Sequence, residues 1–134
     1  MAYVGRSLDP TADKYHFPAG FHKSQELFNL HRVNCDAVVL VEGFFGAMWL
    51  HQWGCGNAVA LMGRSLSEAQ EKLLAPFKAV TLMLDGDGPG REASREIALR
   101  LTPTHWVREI VLRPNEQPDS LSHEELDALL ASLY

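Results

Sequence analysis

Hydrophobic positions in this chain switch between two periods. Between residues 36 and 113, short unbroken apolar runs alternate with stretches whose apolar residues recur every three or four positions. Unbroken β-branched and aliphatic runs suit strands covered on both faces, as in a parallel sheet; the wider spacing suits helices with one buried side. Asp36–Glu42, with Val38-Val39-Leu40-Val41 inside it, is a predicted strand. Phe44–Gln52, rich in Phe, Met and Trp, is a short helix that stops before Gly54. Asn57–Leu61 is a second strand closed by Gly63. Ser67 and Gln70 form a capping box that opens a helix to about Leu74, with Pro76 beyond it. Ala79–Leu84 is the third strand. Pro89 suits a first helical turn, after which Ala93, Ile97, Ala98 and Leu101 share one face. Trp106–Leu112 is the fourth strand. This order predicts an α/β fold: a central, mostly parallel four-stranded sheet flanked by helices, joined by right-handed crossovers.

The flanks differ. Residues 114–120 form a turn-rich loop. Ser122 and Glu125 offer another capping box, and Leu126, Leu129, Leu130 and Leu133 mark a terminal amphipathic helix that covers the sheet. Residues 1–34 carry polar turns, Pro10, Pro18 and a predicted helix from Ser24 to Leu30. They read either as the tail of a preceding lobe or as an extension packed on the sheet edge, which divides the chain into 1–34 and 35–134. No internal repeat interrupts this plan.

Two of the buried runs end in acid: the first in Glu42-Gly43, the third in Asp85-Gly86-Asp87-Gly88-Pro89-Gly90. Carboxylates are costly inside a sheet and belong at strand carboxyl ends, where open α/β sheets place their ligands. Asp85 and Asp87, two apart, point to the same side of an extended backbone. Glu42 could add a third carboxylate, enough to seat a hard cation such as Mg²⁺. The alternative is that the aspartates are turn residues and Glu42 a solvated strand end. A dinucleotide loop is disfavoured by Arg91 at the third glycine position, and a calcium loop by Pro89 at a ligand position. A haloacid-dehalogenase-type phosphatase would need a longer remainder of chain.

Composition adds limits. The 134 residues are 46% hydrophobic and 22% charged, enough for one core. No apolar stretch is long enough to span a bilayer and the start lacks a signal-peptide pattern, so a cytoplasmic protein is expected. The net charge of −5 argues against strong autonomous nucleic-acid binding. Cys35 and Cys55 read as core filler; His22, His31 and His51 as structural or exposed. Trp49, Trp53 and Trp106 read as core or edge packing, and Phe44 and Phe45 as packing the first helix on the sheet.

Val-Glu-Gly-Phe-Phe (41–45), Ala-Leu-Met-Gly-Arg-Ser-Leu (60–66) and Leu-Asp-Gly-Asp-Gly-Pro-Gly-Arg-Glu-Ala (84–93) together resemble the toprim domain, most closely the version in bacterial DNA primases and their mobile-element relatives. Gly-Arg-Ser-Leu (5–8), Lys14-Tyr15 and residues 21–30 resemble the primase segment leading into it. The resemblance implies a Rossmann-like toprim fold with Glu42, Asp85 and Asp87 as catalytic ligands of Mg²⁺ or Mn²⁺, and Asp119 as a further candidate ligand. It implies Lys14, Lys23, Arg6 and Arg91 as contacts to nucleotide or nucleic acid, though each would otherwise read as an ordinary solvated or locally paired side chain. The implied function is nucleotidyl transfer in DNA replication, with a DNA template, nucleoside triphosphates and either further primase domains or a replicative helicase as partners. The alternatives are a toprim-type nuclease and a non-catalytic interaction module. Gly46 and Gln117 stand where primases carry aspartates.

Overall fold

The computed structural model describes residues 3–131. Its elements are β1 (Gly5–Arg6), β2 (Tyr15–His16), β3 (Ala37–Val41), α1 (Phe44–Gln52), β4 (Ala58–Ala60), α2 (Glu68–Leu74), β5 (Ala79–Leu82), α3 (Gly88–Leu101), β6 (Trp106–Glu109) and α4 (His123–Ala131). The four-stranded sheet has the order β4-β3-β5-β6 and every pairing in it is parallel. The predicted α/β plan is therefore present, with strands up to three residues shorter than expected at an end. Leu133 lies outside the described residues.

Side-chain alternation explains why β3 and β4 carry no polar residue and β5 only Thr81. Val38, Leu40, Val80 and Leu82 point into one apolar layer with Leu74 of α2 and Ala93, Ile97 and Leu101 of α3. Val39, Val41, Ala58 and Ala60 point into the opposite layer with Ala47 and Leu50 of α1 and Leu126 of α4. β3, β4 and β5 are buried on both sides, as parallel sheets require, while β6 is an open edge strand. Both expected capping boxes form. Ser67 Oγ accepts from the Gln70 N–H at 3.0 Å while Gln70 Oε1 accepts from the Ser67 N–H at 3.0 Å. Ser122 and Glu125 exchange the same two bonds at 3.2 and 2.9 Å. Among the described residues no helix is long and apolar enough to cross a membrane.

The N-terminal segment departs from prediction. No helix runs from Ser24 to Leu30; 3₁₀ turns occupy Lys23–Gln25 and Leu30–Arg32 instead. Between them Phe28 pairs antiparallel with Ala60 on the outer edge of β4, exchanging N–H···O bonds of 3.0 and 3.2 Å. Asn29 adopts a left-handed backbone, φ 68°, and donates its buried side-chain amide to the Ala58 carbonyl at 2.9 Å. The sheet edge thus claims the backbone groups that a helix would have used internally. Gln70 secures the same segment: its Nε2 donates toward the carbonyls of Lys23, Glu26 and Leu61. Further forward, β1 and β2 form a short hairpin whose Tyr15 ring packs edge-on against Phe44, 5.2 Å between centroids.

Three packing expectations also fail. Phe44 is buried, but Phe45 is 42% exposed on the outer side of α1. Trp106 sits on the edge strand 78% exposed, too open to count as packed. Cys35 is exposed; Cys55 is partly buried, and burial pushes its thiol up to about 11.

Candidate functional site

The chain runs from β3 outward to β4, then crosses back to β5 on the other side of β3. The crevice between the ends of β3 and β5 is therefore the topological switch point, the usual ligand position of an open α/β sheet. Glu42 follows β3 and Asp85 lies just beyond β5, so the ladder delivers both acids to one crevice. Glu42 is only 8% exposed, and its Oε1 accepts the Asp85 N–H at 3.2 Å. Asp87 caps α3: its Oδ1 accepts the Gly90 N–H at 2.6 Å. Glycines permit this crowding. A Cβ on Gly90 would stand 2.2 Å from the Asp85 carbonyl oxygen, and one on Gly86 would stand 1.9 Å from that of Arg113. The Gly86 N–H also donates to the Glu116 carbonyl at 2.8 Å, tying the late loop to the acidic one.

These acids lie in a cavity of about 360 Å³ at the sheet's carboxyl end. Burial, then the neighbouring Asp85 charge, raises Glu42 from 4.5 to about 7. Burial likewise raises Asp85, helped by the charges of Asp87 and Asp119 and opposed by those of Arg64 and Lys14. Negative charge is thus concentrated where water is scarce.

Most of the predicted residues meet here. Glu42, Asp85, Asp87, Asp119, Lys14 and Arg6 all line the cavity. Arg6 arrives on the N-terminal hairpin with its guanidinium 5.0 Å from the centre of the Phe45 ring. Two predicted residues lie elsewhere. Lys23 is exposed on its 3₁₀ turn and Arg91 donates to the Leu112 carbonyl at 3.3 Å, lining a groove beside α3 that shares Asp85 with the cavity. Gly46 and Gln117 line the cavity too, with Gly46 against Pro118. Arg64 was not anticipated. Its Nε lies 3.5 Å from Glu42 Oε2 and its Nη2 3.4 Å from Asp87 Oδ2. The signal for it was its place in Gly63-Arg64-Ser65, shortly after β4.

The donor set suits a hard divalent cation. Oxygen ligands alone, partly dehydrated and mutually repelling, gain from a positive charge among them. As placed, no three His, Cys, Asp or Glu side chains among the described residues form a ready-made cage. Mg²⁺ does not need one: one or two carboxylates with water and phosphate oxygens complete its shell.

Residues 39–122 match the family described as Toprim-like. The chain belongs to the toprim family. Among curated relatives of this toprim chain, the DNA primase of Pseudomonas putida is 34% identical over 148 aligned residues, covering 99% of the chain and 22% of the primase. Among solved structures, the Aquifex aeolicus primase (zinc-binding and RNA polymerase domains) superposes with a TM-score of 0.81 at 30% identity, covering 98% of this chain and 36% of that one. A DnaG primase catalytic domain bound to single-stranded DNA gives a TM-score of 0.79 at 27% identity, with 98% and 47% covered. The toprim domain is thus of the bacterial DNA primase type, and the chain spans about a fifth of the length of the curated primases it matches.

Proposed function

We propose that this chain is the divalent-metal-binding part of a DNA primase-like protein, contributing to Mg²⁺-dependent nucleotidyl transfer during RNA primer synthesis on a DNA template. One observation carries the reading: Glu42, Asp85 and Asp87 converge at the sheet's switch point, beneath Lys14 and Arg6. Residues 35–134 are the toprim domain in this reading, and residues 1–34 are the end of a basic lobe folded against it.

Glu42, Asp85 and Asp87 would hold Mg²⁺ or Mn²⁺, with Asp119 on the same cavity wall as a further candidate ligand. Such an ion neutralises phosphate charge and lowers the pKa of an attacking hydroxyl. Lys14 and Arg6, on the hairpin above, meet the phosphates of a nucleoside triphosphate or of the template. Glu42 and Asp85 are held in place through the bond between Oε1 and the backbone, so the pair keeps its spacing as charge develops. The net charge of −5 means that tight template binding draws on other parts of the primase or on a replicative helicase. The primase catalytic domain solved with single-stranded DNA supports the template as a partner.

The test is a Mn²⁺ titration followed by NMR line broadening. Broadening centred on Glu42, Asp85 and Asp87, and lost in the Asp85→Asn/Asp87→Asn double variant, is the expected result. Diffuse broadening unchanged in that variant sinks the metal reading and favours a non-catalytic interaction module. Mn²⁺-dependent nicking of DNA that disappears in Glu42→Gln replaces the primase reading with the nuclease one.

A further inference from the structure

Glu42 and Asp87 each spend one carboxylate oxygen on a backbone N–H: Oε1 on Asp85 and Oδ1 on Gly90. The remaining oxygens, Glu42 Oε2 and Asp87 Oδ2, both turn to Arg64, at 3.5 and 3.4 Å. Any divalent ion that draws on both acids through those oxygens meets a guanidinium already there. Arg64 is well suited to leaving. Its side chain is 57% exposed, so its two ion pairs are weakened by solvent. Its loop is nevertheless anchored, because the Gly63 N–H donates to the Glu42 carbonyl at 3.3 Å. The side chain can therefore swing while its Cα stays at the cavity wall. A planar guanidinium freed there, on the same cavity as Lys14, fits a phosphate in two-pronged fashion.

We propose that Arg64 is the built-in counter-cation of the acidic site: it competes with the divalent ion for Glu42 and Asp87 and, once displaced, contacts the phosphate of the incoming nucleotide. This rests on the metal reading above, and it assigns a role to a residue that links two acids supplied by different strands. A merely structural Arg64, which only holds the acids together, predicts the opposite sign: removing it would leave metal binding unchanged or weaker.

The test measures free Mn²⁺ by electron paramagnetic resonance, at pH 8, for the wild-type chain, Arg64→Ala and Arg64→Lys. Two half-exposed ion pairs correspond to a competition factor of about three- to ten-fold. Arg64→Ala should bind Mn²⁺ tighter by that factor, while Arg64→Lys, which keeps the charge, should stay near wild type. With Mn²⁺ saturating, ATP should bind Arg64→Ala several-fold more weakly than wild type. A folded Arg64→Ala that binds Mn²⁺ equally or more weakly, in an experiment where wild type binds it, overturns the counter-cation role and leaves the metal site standing. Tighter Mn²⁺ with unchanged ATP affinity overturns the phosphate contact alone. Failure of the wild type to bind Mn²⁺ overturns the proposal together with the metal reading. If Arg64→Ala does not fold, Arg64→Gln carries the same comparison.

Discussion

Gly90→Ala sets two rules of helix chemistry against each other. Gly90 is the third residue of α3, and glycine in a helix normally costs about 1 kcal/mol relative to alanine. By propensity alone the substitution stabilises. The new Cβ, however, would stand 2.2 Å from the Asp85 carbonyl oxygen and 2.9 Å from both Asp87 Oδ1 and Glu42 Oε1. The nearest of these is backbone, so no rotamer change relieves it and the acidic loop has to shift. That shift costs the Asp87 cap, about 1 kcal/mol, and overpacking strain of about 1–3 kcal/mol. After the propensity gain, a net loss of about 1–3 kcal/mol is expected. Gly88→Ala is the matched control, since a Cβ there meets nothing within 4 Å. It should be neutral or stabilising by up to about 1 kcal/mol. Urea denaturation followed by circular dichroism measures both, and a Mn²⁺ titration should show weakened binding in Gly90→Ala only. A Gly90→Ala protein as stable as wild type, or a Gly88→Ala protein equally damaged, refutes the close-approach argument.

Acid and polar networks give two more tests. The raised pKa of Glu42 means that the folded chain holds a proton between about pH 4.5 and 7 that the unfolded chain has released. Stability from this group is therefore present at pH 5 and lost as pH rises toward 8, by on the order of 2–3 kcal/mol in EDTA. Glu42→Gln should flatten that profile; urea midpoints that fall equally with pH in both proteins would contradict the shift. Gln70→Ala leaves the carbonyls of Lys23, Glu26 and Leu61 without their shared donor and removes half of a capping box. A loss of about 2–4 kcal/mol is expected, with hydrogen-exchange protection failing first across residues 23–30. A loss under about 1 kcal/mol would show that the amide is dispensable.

β3 and β5 were legible because burial on both faces leaves them nearly unbroken apolar runs, with acid just beyond each carboxyl end. The capping boxes were legible because they are local chemistry. What failed was set by distant partners. Residues 24–30 have helical composition, but the β4 edge offered Phe28 a better use for its backbone groups. Arg64, Arg91 and Lys23 are all cations near sequence motifs; only the fold shows that the first faces the acids, the second a helix groove and the third solvent. Gln70 caps its helix as its spacing from Ser67 predicts, yet its amide also reaches the carbonyls of Lys23 and Glu26, in a segment distant in sequence. Phe45 could not be told from Phe44 by period, because α1 is apolar nearly all round.

The pairing of β3 with β5 sets Leu40 opposite Leu82. Successive side chains in each strand enter opposite apolar layers, so a slip of one residue would exchange the two layers wholesale. The same slip would carry Glu42 out of reach of the Asp85 N–H. Misaligned forms of the site are therefore also misfolded forms of the protein, and are removed by the packing of the two layers before any ligand is met. Change in the chemistry of this site has to come through side-chain replacement, because the backbone offers no intermediate alignment.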